Sequence, residues 1–415
     1  MEPIIISIVI FLLLAKTGAR LALANLNCRH VRKHADAVPP AFQQIVDEAT
    51  YKKSVAYTLA GERLDEVRAI WSLLILLVAL FSGVLPSSHE WFVTSAGASA
   101  WSMAAWFFAV GLAISLTGLP FDWYDQFRLE QRFGFNTTTQ RTWWSDQLKG
   151  FLLALVLGYP LLALLLKFTE WSGRAWWLWG WGALMAFQVL MFFLAPLIIM
   201  PLFNKFTPLP AGSLRERLLA LAARTRFAAG NIQVMDGSRR SRHSNAFFTG
   251  FGRSRRIVLF DTLIAQLAEP ELEAVLAHEI GHYKKRHILK TLIFSALGSL
   301  AGFYALSVLA RQDWFYNSFG FQPDGIAPAF LLFALLSGIV TFWFSPLAHW
   351  WSRRNEYEAD AFAAEVMREP APLITALRKL NEKNLSNLTP HPIYSGFYYS
   401  HPTLLERERA LAALA

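Results

Sequence analysis

A mostly α-helical, seven-span membrane fold is what this sequence predicts, on three observations. Hydrophobic residues make up 54% of the 415 and charged ones only 17%, an apolar excess that ordinary soluble domains do not carry. Long runs without charge recur along the chain, against the ~20 residues that cross a bilayer. The basic residues collect in the segments on one side of those runs, as the positive-inside rule requires of a cytoplasmic face.

Charge-free runs lie at 69–88, 91–121, 151–166, 175–204, 291–310 and 326–352. A further span is read at about 3–25, where the uncharged stretch Pro3 to Ala15 is followed by Lys16 and Arg20. Part of that helix must therefore lie near water or face the protein interior. A cleaved leader is the alternative for this segment, but a leader carries its cations before the apolar run. Here Met-Glu-Pro precedes it, and Lys16, Arg20, Arg29, Arg32 and Lys33 follow. A retained first span with its N-terminus outward is the expectation.

Spans one to five (about 3–25, 69–88, 94–118, 151–168 and 175–200) then occupy residues 1–200 with their loops. Residues 201–290 form a cytoplasmic segment, spans six and seven fill 291–352, and 353–415 returns to the cytoplasm. The connection at 89–90 carries no Lys or Arg, and those at 167–174 and 311–325 carry one or two each. The opposite face receives 26–68, 122–149, 201–290 and 353–415, with nearly all the basic residues. Topology accounts for the net charge of +9, so no nucleic-acid partner is called for; membrane lipids are the expected surroundings. Cys28 is the single cysteine and cannot form an internal disulfide. The 16 tryptophans suit interfacial belts and need no cofactor.

The chemistry is concentrated in residues 270–287, which read Pro-Glu-Leu-Glu-Ala-Val-Leu-Ala-His-Glu-Ile-Gly-His-Tyr-Lys-Lys-Arg-His. A proline and two acids open a helix and bases close it. His278 and His282, four residues apart, project from one face of that helix. This spacing lets two imidazoles share one Zn²⁺, with Glu279 beside them to take a proton from water. An amphipathic helix with two histidines can show the same pattern by chance, and a catalytic zinc needs a third protein ligand. The best candidate is Glu356 in Asn355-Glu356-Tyr357-Glu358-Ala359-Asp360. Asp360 follows it by four residues and points the same way, placed to orient a histidine ring, while Glu358 is rotated away. A solvated charged face after a transmembrane helix is the bland alternative.

Between these blocks, residues 239–262 alternate and are broken by glycine in the manner of a β-hairpin, and an exposed edge strand there could pair with an extended substrate. Near the C-terminus, His401 and Arg407 are candidate donors to the oxyanion of peptide hydrolysis, against an ordinary helix start with a solvated arginine. His30 and His34 share a face but have no acidic partner. His349 either lines a cavity or packs at the membrane interface, and His89, His243, His287 and His391 read as polar loop or helix-end residues.

Taken together, the blocks resemble the Ste24-type CAAX prenyl protease family, integral membrane zinc metallopeptidases of the M48 class. Besides the zinc motif they comprise Leu119-Pro120-Phe121, Phe127-Arg128-Leu129-Glu130-Gln131-Arg132-Phe133-Gly134-Phe135-Asn136, Asp146-Gln147-Leu148-Lys149, Pro201 to Phe206, His243-Ser244-Asn245-Ala246-Phe247, Ile257 to Leu263, Asn355 to Phe362, and Ser400-His401-Pro402 with Leu404 to Arg407. The resemblance implies a seven-transmembrane-helix barrel around a large water-filled chamber, closed by a cytoplasmic zincin-like domain with a small β-hairpin. It implies one Zn²⁺ per chain on His278, His282 and Glu356, Glu279 as base, Asp360 behind the ligands, and Asn245 with Ala246, His401 and Arg407 toward the substrate. With no C-terminal retention signal or extended N-terminal tail in the sequence, it looks more like a bacterial inner-membrane member, with its site on the cytoplasmic side.

The implied activity is hydrolysis of peptide bonds near the C-terminus of CAAX-like substrates, with or without a prenyl group. Two alternatives stand beside it. One is a quality-control metalloprotease of a shorter related class, which lacks the Phe-Gly-Phe-Asn block. The other is a transporter or scaffold with a vestigial metal site, which would neither hold zinc nor cleave peptides.

Overall fold

The structure, a computed structural model, describes residues 1–43, 45–227, 231–249 and 256–414. Six unbroken helical stretches are long and apolar enough to cross a membrane: Glu2–Lys33, Ala100–Phe133, Gln140–Trp171, Gly173–Phe203, His287–Leu309 and Ala327–Met367. A bent pair, Glu48–Phe81 and Val84–Ala96, meets at 54° and completes seven. The sequence suggested a bare connection at 89–90. Instead the chain turns earlier, at Gly83 in the left-handed region (φ 81°), where a residue without Cβ is unstrained. Residues 89 and 90 then lie inside Val84–Ala96.

The helices overrun the apolar segments because backbone hydrogen bonding, once nucleated, continues into water. The last is the extreme case. Ala327–Met367 has 41 residues, about 60 Å of helix at ~1.5 Å per residue, against a hydrocarbon core of about 30 Å. Its second half therefore stands clear of the bilayer and carries Glu356 and Asp360 with it.

Each span packs on the next and the seventh on the first, closing a ring. In five of the six unbroken spans the apolar window is only 0–17% buried. A helix in a solid bundle would bury a continuous stripe, so the ring encloses a chamber. One end is sealed by a core that includes Leu13, Leu80, Trp106, Leu166, Trp176, Phe319, Phe321 and Leu332. A second core, at the other end, belongs to the peptidase part. There Leu272, Leu276 and Ile280, on one face of helix Glu269–Lys284, pack with Leu218, Leu221, Ile257, Leu259, Leu263, Ala363 and Leu404. Burial of each such aliphatic side chain contributes about 1.5–3 kcal/mol.

Four short strands accompany this core: β1 Phe206–Pro208, β2 Asn231–Met235, β3 Ala246–Thr249 and β4 Arg256–Phe260, in the order β1-β2-β4-β3. β2 and β4 run parallel and the other pairs antiparallel. The hairpin read from residues 239–262 is β3–β4, with Ala246 opposite Leu259; its turn lies outside the described residues. β1 and β2 are additions to the sequence reading, three and five residues long and too brief to show an alternating pattern.

Several sequence blocks find their purpose as braces between membrane and peptidase parts. Arg240 forks onto Asp146 (2.7 and 3.1 Å) and reaches Asn204 at 3.0 Å. The His243 ring stacks on Phe135 at 4.1 Å and bonds Glu130 and Asn384, and Tyr57 donates to Glu130 at 2.5 Å. His243, three residues before β3, is thus a brace and not a solvated loop residue. Gly134 (φ 85°) supplies the left-handed turn that lets Phe135 swing under it.

Helix Glu269–Lys284 meets the long helix most closely at Gly281. A Cβ there would lie 3.0 Å from both the Cα and the carbonyl oxygen of Ala359, backbone atoms that cannot step aside. Gly281→Ala should force the helices apart and destabilise the peptidase part by about 1–3 kcal/mol, together with weaker metal binding. Thermal unfolding and metal content in detergent check this; wild-type values for both would show that the approach is not tight.

Candidate active site

The motif helix begins with its N-terminal amides answered: Glu271 returns to accept from Ala268 N–H at 2.7 Å, and Pro270 sits where no amide hydrogen is needed. It ends at Lys284. Arg286 then adopts a left-handed conformation (φ 57°), and span six starts at His287. This sharp turn directs His287 back at the motif, its Nδ1 standing 3.0 Å from His282 Nδ1.

The two helices bring His278, His282 and Glu356 together. One ligand atom from each lies within 4.8 Å of the others, the sole such group among the described residues. His278 Nε2 is 3.1 Å from His282 Nε2, 3.5 Å from Glu356 Oε2, and Glu356 Oε1 is 3.2 Å from His282 Nε2. Asp360 Oδ1 accepts from His278 Nδ1 at 2.8 Å. Arg407 forks onto the same carboxylate, Nη2 to Oδ1 at 2.6 Å and Nε to Oδ2 at 2.8 Å, and faces Glu356 Oε2 with Nη1 at 3.8 Å. It is buried, which disposes of the solvated alternative. Only its Nη1 is left for another partner.

These contacts decide which nitrogens carry protons. With Nδ1–H donated to Asp360, His278 turns an Nε2 lone pair inward. Facing the acceptor-only carboxylate of Glu358, the His287 ring carries its proton on Nε2. Neutral, it donates from Nε2 to Glu358 at 3.2 Å and accepts at Nδ1 from His282, whose Nε2 lone pair also faces inward. Two lone pairs 3.1 Å apart and the buried Glu356 Oε2, which has no hydrogen-bond partner, call for a cation among them. Two imidazole nitrogens on a tetrahedral zinc stand about 3.3 Å apart. The donor set fits a divalent metal.

The local field agrees. Burial opposes charge on His278, yet the Asp360 and Glu356 carboxylates outweigh it and raise the metal-free ring to about 9; without a metal a proton takes the inward Nε2 position, and a bound cation would displace it to claim the lone pair. Glu356 stays ionised despite burial because the two histidine rings face its oxygens, at 3.5 and 3.2 Å. Glu279 is half-buried, and burial lifts its carboxyl above the usual range against the pull of His278 and His282.

The remaining sequence candidates are arranged around this centre. His401 Nε2 lies 3.5 Å from Glu356 Oε1 with its side chain 63% exposed. His349 and Arg353, on the long helix, fix the segment leading to it by bonding the carbonyls of Phe397 (2.6 Å) and Tyr399 (2.7 Å). Asn245 is exposed and caps its neighbour, its Oδ1 accepting from Ala246 N–H at 2.8 Å. Ala246 opens β3, an edge strand that packs beside the motif helix. Sequence reasoning missed His287, taken as a helix-end residue, and Glu358, taken as pointing away. Glu358 does point away from His278, His282 and Glu356, but toward His287, five residues beyond His282; that short spacing was the available signal.

Two family profiles cover this chain: peptidase family M48 over residues 208–415, and the CAAX prenyl protease N-terminal region, five membrane helices, over 27–205. The chain belongs to peptidase family M48. It is similar to CAAX prenyl protease 1 of Saccharomyces cerevisiae, 36% identical over 400 residues, 90% of this chain and 88% of that protein. The human CAAX prenyl protease 1 homolog is 31% identical over 443 residues, 93% and 91% of the two chains. The crystal structure of Saccharomyces mikatae Ste24p superposes with a TM-score of 0.92 at 34% identity, covering 98% of each chain. This M48 protein is accordingly a multi-pass membrane metallopeptidase acting on peptide or protein substrates.

His287→Ala should remove the acceptor that orients His282 and weaken metal binding about 10–100-fold, while His287→Gln, which can still accept, recovers part of the loss. Competition against a chelating dye measures both, and wild-type affinity in His287→Ala would refute the orienting role.

Proposed function

We propose that this chain is a zinc-dependent endopeptidase that cuts near the C-terminus of CAAX-like proteins, with His278, His282 and Glu356 as metal ligands and Glu279 as general base. The observation that carries the reading is the convergence of two histidine lone pairs and an unpartnered buried carboxylate oxygen, with a second carboxylate adjacent in sequence. Two histidines and a glutamate with an open fourth position suit Zn²⁺ over harder ions. When bound, zinc supplies a Lewis acid that polarises the substrate carbonyl and lowers the pKa of water to about 7.

The protein supplies the rest. Glu279, its proton affinity raised by burial, accepts a proton from the attacking water and returns it to the leaving amine. His401 accepts at Nδ1 from the Ser400 hydroxyl, 2.9 Å away, which leaves Nε2–H free to donate to the developing oxyanion. Arg407 directs Nη1 to the same region while its other nitrogens hold Asp360. An extended substrate can add as a strand to β3, where Asn245 and Ala246 meet its backbone.

The proposed division follows the spans: 1–200 and 291–352 build the chamber, and 201–290 and 353–415 the peptidase part. Its mouth opens to the cytoplasm by the positive-inside argument, in a bacterial inner membrane. The relatives' names speak for CAAX ends.

Glu279→Gln is expected to retain one zinc per chain and lose at least about 100-fold in turnover, read by metal analysis beside cleavage of a quenched peptide. Normal turnover in that variant would sink the assignment of the base. Cleavage of one C-terminal peptide with and without a farnesyl group tests the lipid. Faster cleavage of the farnesylated form is the expected result, and equal rates remove the lipid from the specificity.

A further inference from the structure

Outside the active site, one feature without a role so far is a cleft of about 940 Å³ between the end of the first span, the start of the second and the end of the third. Four arginines line it, Arg32, Arg63, Arg128 and Arg132, against one acid, Glu66. All four are exposed, and among the described residues none of them forms an ion pair. Arg128 and Arg132 lie over the rings of Trp123 and Phe133 at 5.7 and 5.4 Å, contacts that hold the guanidinium groups without neutralising them. The nearby acids Asp122 and Asp125 are taken by Arg68, each at 3.3 Å.

The face on which this cleft lies is set by helix geometry. Leu59, Arg63 and Val67 line it at four-residue spacing. Thr58, Glu62 and Asp65, on the opposite side of the same helix, line a cavity shared with Tyr399, two residues from His401. The arginine cleft therefore opens outward from the ring. Below it the helix continues with exposed apolar Val67, Ile70, Leu74 and Val78, and the third span offers exposed Leu112 and Leu116. Cations at the membrane boundary, above an apolar stripe descending along two adjacent spans, match the two halves of one molecule class.

We propose that this cleft is a binding site for an anionic phospholipid, its phosphate held by Arg32, Arg63, Arg128 and Arg132 and its acyl chains laid along the second and third spans. Arginine forks suit phosphate oxygens, and basic pockets between spans at the cytoplasmic boundary select anionic head groups. Zwitterionic lipid has the same tails but brings its own cation to the cleft, so the charge excess discriminates against it.

The test uses full-length protein stripped of lipid in detergent and titrated with phosphatidylglycerol or phosphatidylcholine, occupancy being read by native mass spectrometry. Wild type should retain phosphatidylglycerol about tenfold better or more. The combined variant R32Q/R63Q/R128Q/R132Q should lose that preference, and R32K/R63K/R128K/R132K should keep most of it. R29Q/K33Q/K53Q/R141Q, which removes exposed bases outside the cleft, should behave as wild type. Equal retention of the two lipids by wild type, an unchanged preference in the glutamine variant, or an equal loss in the control variant overturns the proposal. Displacement of the lipid by excess inorganic phosphate would assign the cleft to the free ion instead, and displacement by a farnesylated peptide would assign it to substrate; either result also overturns it.

Discussion

Everything chemical in this protein depends on one helix pair, Glu269–Lys284 against the far half of Ala327–Met367. The residues they contribute are 82 positions apart in the case of His278 and Asp360, with a membrane span descending and another returning between them. What brings them into register is the close seat of Gly281 on Ala359. That contact fixes the helix separation, the Asp360–His278 bond then fixes rotation, and the ligand atoms fall within reach of each other. A side chain at residue 281 would act on all three.

The second determinant is charge held out of water. Asp360 and Arg407 are both buried, an arrangement that does little for stability by itself because desolvation offsets attraction. Its value is directional. Arg407 occupies both oxygens of Asp360, so the carboxylate cannot rotate, and His278 is offered one proton acceptor in one place. The His287–Glu358 pair does the same for His282 from the other side. Two independent second contacts thus determine that each imidazole turns Nε2 toward the other and toward Glu356, which a bare pair of histidines on a helix would not ensure.

Hollow architecture has its own physical consequence. A ring of spans that buries so little of its apolar surface against itself needs support from its ends. The sequence distributes large side chains accordingly, with Trp106, Trp176 and Phe319 in one terminal core and the aliphatic cluster around Leu272, Leu276 and Ile280 in the other. The braces at Arg240 and His243 tie the second core to the membrane part, so the peptidase site is seated on the ring and not merely tethered to it.

Much of this was legible in the residues. The spans follow from charge-free length, because burying a charge in hydrocarbon costs more than any local preference can return. The i, i+4 pairs His278 with His282 and Glu356 with Asp360 follow from the helical repeat. What sequence could not supply is whatever joins separate helices. The bend at Gly83 was hidden because a glycine in an apolar run reads equally as span interior. The engagement of His287 was hidden because it turns on a left-handed Arg286. The partnership of Arg407 with Asp360 was hidden because an arginine in an amphipathic helix looks solvated until its neighbours are known. Local spacing determined which groups could bind a metal; only the packing of one helix on another decided which atoms face it, since periodicity is a property of a single helix and a coordination site is not.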